Sequence, residues 1–151
     1  MGVLTGQIDG VFTTPLKIIE SPGGAVMHAL KKGDAGFIDF GEVYFSQVKH
    51  GAVKAWKRHR RMTLNLVVPV GKVRIVLFDD RQDSPSLGGY QEFILSVDNY
   101  NRLTVPPMLW FGFQGLKKGN STLLNLADLV HDPNEVDNLT TKDLYYDWTK
   151  Q

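Results

Sequence analysis

Apolar and polar positions fall into short runs through this chain, and turn residues separate the runs at near-regular spacing. Phe37 to Phe40 and Glu42 to Val48 are apolar and aromatic, and end near Lys49-His50-Gly51. Val53 to Arg60 alternates, Leu64 to Val70 is apolar and β-branched, and Lys72 to Phe78 alternates again. Tyr90 to Val97, Leu103 to Val105, Leu109 to Phe113 and Ser121 to Leu126 complete the series. Asp83-Ser84-Pro85, Gly88-Gly89 and Lys118-Gly119-Asn120 supply turns between them, because Gly, Pro, Asn and Asp accept the backbone angles a reversal needs. Many short strands at such spacing predict an all-β sandwich or barrel, with a few short helices confined to the tail.

Strand alternation places Ala55, Lys57 and His59 on one face of the Val53–Arg60 run, and Trp56, Arg58 and Arg60 on the other. Composition changes this picture only by exclusion. A chain of 151 residues is the length of one domain, here taken as 1–151, and suffices for a core without cross-links. A net charge of +1 gives no basic surplus for nucleic acid. With no cysteine there is no disulfide framework, thiolate metal site or cysteine nucleophile. The N-terminal residues lack the charged-then-apolar pattern of a signal segment, and no apolar run approaches ~20 residues, so a cytoplasmic protein without a membrane span is expected. An edge strand around Val3 to Val11 would be free to pair with a partner sheet.

Gly51 to Gly71 resembles the metal-binding segment of cupins in spacing: Gly, five residues, His-x-His, three or four residues, Glu, six residues, Gly. Lys57 stands at the first histidine and Leu64 at the glutamate, so only His59 remains. A protonated lysine has no lone pair for a metal and leucine has no donor at all. The spacing implies a cupin jelly roll; the side chains imply no metal and no cofactor.

Five further segments carry a more specific resemblance: Gly41-Glu42-Val43-Tyr44-Phe45, Val53-Lys54-Ala55-Trp56, Asn65-Leu66-Val67-Val68-Pro69, Phe78-Asp79-Asp80-Arg81 and Tyr146-Asp147-Trp148. In this order, from about Ile8 to Trp148, they resemble the short members of the dTDP-4-dehydrorhamnose 3,5-epimerase family. The resemblance implies a cupin jelly roll, a homodimer, and metal-free epimerisation of a nucleotide-linked 4-keto-6-deoxy sugar. That chemistry needs a base for the proton α to the ketone, a stabiliser for the enolate oxygen, and an acid on the opposite face. The diphosphate needs cationic donors.

On that resemblance Lys57 and His59 are the catalytic candidates. His131, where relatives often carry a tyrosine, is a third. Lys54 matches a phosphate-contacting arginine three residues before the family's catalytic histidine, and Asn65, Arg74, Trp110 and Asn125 complete the substrate-binding set. Tyr44 is a further phenol on a barrel strand, and Phe113 with Trp110 flanks Gly112 as a wall for the sugar or base. Three departures stand out. The family's base histidine is Lys57 here, and its acid tyrosine falls near Asn125. The second cupin segment, Pro106-Pro107-Met108-Leu109-Trp110-Phe111, has lost its histidine too. Lysine, with an unperturbed pKa near ~10.4, must lose a proton before it can act as a base, or stay cationic and hold the ketone oxygen while His59 takes the proton. An epimerase, a 3,4-ketoisomerase and a nucleotide-sugar-binding cupin without catalysis all fit these residues.

Overall fold

The alternating runs form two sheets laid face to face in a jelly roll. The computed structural model describes residues 4–150. With strands numbered in chain order, the first sheet runs β1 (Leu4–Thr5), β9 (Gly89–Ser96), β8 (Lys72–Phe78), β11 (Trp110–Gly115), β6 (Val53–His59) and β13 (Val136–Asn138). The second runs β2 (Phe12–Pro15), β10 (Asn101–Val105), β7 (Leu64–Val70), β12 (Asn120–Ala127) and β5 (Glu42–Lys49). A small hairpin pairs β3 (Ile18–Ile19) with β4 (Val26–Met27). Pairing is antiparallel except between β1 and β9.

Alternate side chains of each sheet meet between the two layers. Val73, Ile75 and Leu77 of β8 and Phe111 and Phe113 of β11 pack against Leu64, Leu66 and Val68 of β7, with Leu103 and Leu123 beside them. Each such side chain, taken fully out of water, contributes about 1.5–3 kcal/mol before the entropy of ordering is subtracted. A smaller cluster covers the outer face of the first sheet. Trp56, Val76, Trp110 and Tyr146 are buried there, packed on Phe78, Tyr90, Leu144 and Trp148. The C-terminal segment therefore acts as a lid on that face, which explains why β8 and β11 are buried on both sides.

Eight of the expected strands form, six of them within one residue of their reading at each end; β10 starts two residues early and β11 extends two residues further. Phe37 to Phe40 does not become a strand; Ile38 and Phe40 are 63% and 67% exposed. The chain leading into it is held from inside instead. Asn65 Nδ2 donates to the Gly36 carbonyl at 2.9 Å, and the fully buried Arg102 donates to the carbonyls of Ala29 and Ala35 at 2.7 and 2.8 Å. Among the described residues the only helical turn is 3-10, at Pro133–Glu135, so the expected tail helices reduce to that one turn. The segments β1 to β4 and β13 were too short for a period to show. Of the Val3–Val11 edge, Val3 lies outside the described residues, and only Leu4–Thr5 pairs, at the margin of the first sheet. No helix among the described residues is long and apolar enough to cross a membrane.

Gly71 alone separates β7 from β8, at φ +87°, and a Cβ there would collide with Ser121, so both backbone angle and space require glycine. After β8 the chain turns around Asp79. Its fully buried carboxylate accepts from Arg81 Nε at 2.9 Å, Ser84 Oγ at 2.5 Å and Ser86 Oγ at 2.6 Å. Burial alone would push this carboxyl up; the hydrogen bonds from Arg81, Ser84 and Ser86 outweigh it and hold the pKa well below the carboxylate range. A depressed folded-state pKa gives stability that is present above the unfolded value and lost as pH falls toward the folded one. The urea midpoint is thus expected to fall below about pH 4, and Asp79→Asn to lower the neutral midpoint while flattening that decline.

Candidate active site

β6 and β11 are paired in register from Arg58 with Trp110 to Lys57 with Phe111, and then the register slips so that Ala55 faces Gly112 and Lys54 faces Phe113. Trp56 is the extra residue of this β-bulge, and one inserted residue reverses the alternation that follows it. Phe111 and Phe113 point into the barrel, so Lys57 and Lys54 do too, although three positions separate them. The expected sharing of a face by Ala55, Lys57 and His59 is corrected at Ala55. That residue lies on the outer face, where a Cβ on Gly112 would stand 2.6 Å from its own Cβ and 3.2 Å from Trp148. Trp56 is anchored outward, its Nε1–H donating to the Leu144 carbonyl at 2.9 Å.

The inner face of the bulge opens on a cavity of about 380 Å³. Lys54, Lys57, Phe111 and Phe113 line it from the first sheet, with Asn138 and Leu139 beside them; Tyr44, Ser46 and Asn125 line it from the second. Asn138 of β13 sits in register with Lys57. Lys54 Nζ donates to the Gln47 carbonyl at 2.9 Å and lies 6.0 Å from the Phe113 ring centroid. Lys57 is exposed and makes no ion pair among the described residues. Asn125 Nδ2 donates to Ser46 Oγ at 3.1 Å, joining β12 to β5 across the cavity wall. Burial pushes the Tyr44 phenol up, and the carboxylates of Glu42 and Glu135 add to the effect, so it stays protonated as a donor at neutral pH. Among the described residues no carboxylate lines the cavity. Its donors are ammonium, phenol, hydroxyl and amide groups, which suit an anionic, oxygen-rich ligand better than a metal.

His59 lies behind this wall. It is 6% exposed, its ring stacks on Phe111 at 5.9 Å, and its Nδ1 is 2.5 Å from Glu135 Oε1. Glu135 Oε2 accepts the backbone N–H groups of Arg61 and Met62 at 3.1 and 3.2 Å. Burial would push Glu135 up, but the hydrogen bonds from His59, Arg61 and Met62 hold its pKa below the ordinary value. His59 Nε2 is buried with no partner among the described residues.

No family model matches the chain. A solved structure of a dTDP sugar isomerase from Desulfovibrio desulfuricans superposes with a TM-score of 0.90 at 35% identity, over 93% of this chain and 92% of that one. The chain belongs to the dTDP-sugar isomerase family. A probable low-salt glycan biosynthesis epimerase of Haloferax volcanii is 30% identical over 95 residues, 62% of this chain and 61% of that protein. The match thus spans about three-fifths of that relative. A spore coat polysaccharide biosynthesis protein of Bacillus subtilis is 24% identical over 87% of each chain. The same fold recurs in a 4-keto-6-deoxy sugar epimerase from Streptomyces spheroides, at a TM-score of 0.85 and 18% identity.

Within this family member, the structure brings Lys54, Lys57 and Asn125 to one cavity. Asn65 is not in it; the side chain is buried, bonded to Gly36 and accepting from Thr104 Oγ1 at 2.6 Å. Arg74 faces outward, ion-paired with Glu92 at 2.6 Å and donating to the Lys150 carbonyl at 2.7 Å. Trp110 also faces outward, its Nε1–H on Asp80 and Arg58 over its ring at 4.5 Å. His131 is exposed on the loop after β12, outside the cavity lining. For Asn65, Arg74 and Trp110 the cause is shared: the residue's type was legible but not the face its strand would present; His131 sits on a loop that no strand period governs. Ser46 and Asn138 were missed. Ser46 alternates with Tyr44 on β5 and was findable by period; Asn138 sits on a strand of three residues that carries no such signal.

Proposed function

We propose that this chain is a nucleotide-sugar isomerase of the epimerase type. It acts on a dTDP-linked 4-keto-6-deoxy hexose by moving the proton α to the ketone, without a metal. One observation carries this reading: Lys57 enters the cavity from one sheet and Tyr44 from the other, which is the placement that removal and return of a proton on opposite faces of a sugar ring requires. The Lys57 amine takes the proton at C3 or C5, the C–H electrons pass to the ketone oxygen as an enolate, and the Tyr44 O–H returns a proton from the other side. Asn138, which makes no side-chain hydrogen bond among the described residues and neighbours Lys57, is the neutral donor for the enolate oxygen. Lys54 meets the diphosphate. Four nearby guanidinium groups are already held by carboxylates: Arg58 by Asp80 and Asp137, Arg60 by Asp137, Arg61 by Asp132 and Arg74 by Glu92.

The test is deuterium incorporation from D2O into dTDP-4-keto-6-deoxyglucose, followed by NMR at C3 and C5. Exchange at either carbon supports the proposal and names the stereocentre. Saturable binding of the nucleotide sugar without exchange would mean a binding cupin, and a ketone shifted to C3 would mean a 3,4-ketoisomerase. Lys54→Ala is expected to weaken dTDP binding by roughly 10- to 100-fold, the loss of one charge-assisted hydrogen bond, with little change in the rate at saturation. Calorimetric titration with dTDP and steady-state rates together check this split.

A further inference from the structure

A lysine base needs somewhere to put its own proton, and nothing lining the cavity accepts one at neutral pH: its other side chains are a second ammonium, a protonated phenol, a hydroxyl and amides. The nearest acceptor by position is His59, two residues along the same inward face of β6 as Lys57 and just behind the Phe111 ring that forms the cavity wall. Glu135 holds Nδ1 of that imidazole at 2.5 Å and is itself fixed by two backbone N–H groups, so it has little freedom to turn away. A carboxylate on Nδ1 selects the tautomer with its proton there, and leaves Nε2 with a lone pair. Nε2 is the ring nitrogen left without a partner among the described residues.

We infer that Glu135 is a positioning residue that keeps His59 as the acceptor for the proton Lys57 sheds, making Lys57, His59 and Glu135 a relay from the cavity into the barrel wall. The relay rests on reading Lys57 as the base. An N–H bond of the Lys57 ammonium breaks, its electron pair stays on Nζ, and an N–H bond forms at His59 Nε2. Lys57, now an amine, takes the substrate proton and is an ammonium again, while Tyr44 gives up a proton to the substrate. The proton stored on His59 equals the one lost by Tyr44, and their exchange through water restores the enzyme. The charged and titratable groups around the imidazole are Lys57 on its own strand, Arg61 just beyond it, Glu135 on the 3-10 turn, Asp128 after β12, which feels Glu135, and the neutral Tyr44 phenol of β5, which feels it too. Phe111 of β11 brings none.

The experiment uses the full chain. Two-dimensional 15N NMR of the imidazoles near neutral pH is expected to show His59 with its proton on Nδ1 in the wild type, and a loss of that preference in Glu135→Gln. This reading needs no turnover, and a proton found on Nε2 overturns the relay. With dTDP-4-keto-6-deoxyglucose, Glu135→Gln is expected to lower kcat for deuterium exchange by at least about tenfold and to displace the acid limb of its pH profile, with KM unchanged and partial recovery in Glu135→Asp. Should Glu135→Gln fail to fold, His59→Gln serves: its amide still donates to Glu135 but accepts no proton, and the same fall in kcat is expected. If both variants keep wild-type kcat and pH profile while Lys57→Ala loses exchange, the relay is wrong and the lysine base stands. If Lys57→Ala keeps full exchange, both fall together.

Discussion

Lys57→Ala is expected to lower the rate of deuterium exchange by about 10²- to 10⁴-fold while leaving dTDP affinity nearly unchanged, the span that removal of a general base ordinarily costs. The asymmetry follows from position. Lys57 stands in the cavity beside Phe111 and Asn138, makes no ion pair among the described residues and supports no backbone group, so its loss leaves the fold intact. On the proposed reading the nucleotide's charge is met by Lys54, three residues away, so that contact would survive. Lys57→Arg separates two roles for the residue. Arginine keeps the positive charge but does not lose its proton, so it would preserve a cation that merely polarises the ketone and abolish a base. Activity retained in Lys57→Arg and lost in Lys57→Ala would reassign the proton step to another group.

Trp56→Ala is expected to destabilise the fold by about 3–5 kcal/mol, read as the shift of the urea unfolding midpoint at neutral pH. Trp56 is 2% exposed, stands edge-on to Tyr146 with ring centroids 6.5 Å apart, lies 5.5 Å from Trp148, and donates to the Leu144 carbonyl. Truncation removes the centre of the outer cluster and leaves that carbonyl without its donor. Trp56→Phe, which keeps most of the ring and loses only the N–H, is expected to fall between the wild type and alanine. A loss below about 1 kcal/mol for alanine would show that the C-terminal segment is not packed on the sheet as described. Because this side chain is the inserted residue of the bulge, residual activity of the alanine variant is expected to fall more than its folded fraction.

The fold was legible because most of its strands announce themselves by period. Leu64–Val70 and Lys72–Phe78 match their strands residue for residue, since each is bounded by a turn and faces a core. Phe37–Phe40 failed for the opposite reason: its apolar residues carry no partner strand, and buried Asn65 and Arg102 pin the loop just before it at Gly36 and Ala35. In the site, Lys54 and Lys57 were legible as chemistry, but alternation alone sends them to opposite faces. Nothing in the letters Lys-Ala-Trp-Lys marks where a register slips; that depends on Gly112 opposite Ala55 and on a tail some ninety positions later in the chain that covers Trp56. Glu135 was invisible for a related reason, because its partners His59, Arg61 and Met62 lie far away in sequence.

The slip at Trp56 also bears on what such a pocket owes to the other side of its sheet. Removing the Trp56 codon would restore plain alternation, with Lys57 still opposite Phe111 and Lys54 still opposite Phe113, so the pocket would keep both positive charges. What would go is the outward ring on which the C-terminal segment rests. The inserted residue thus serves the covering of the sheet while the lining keeps its own register, and a lineage that shed the cover would lose stability before it lost the two lysines.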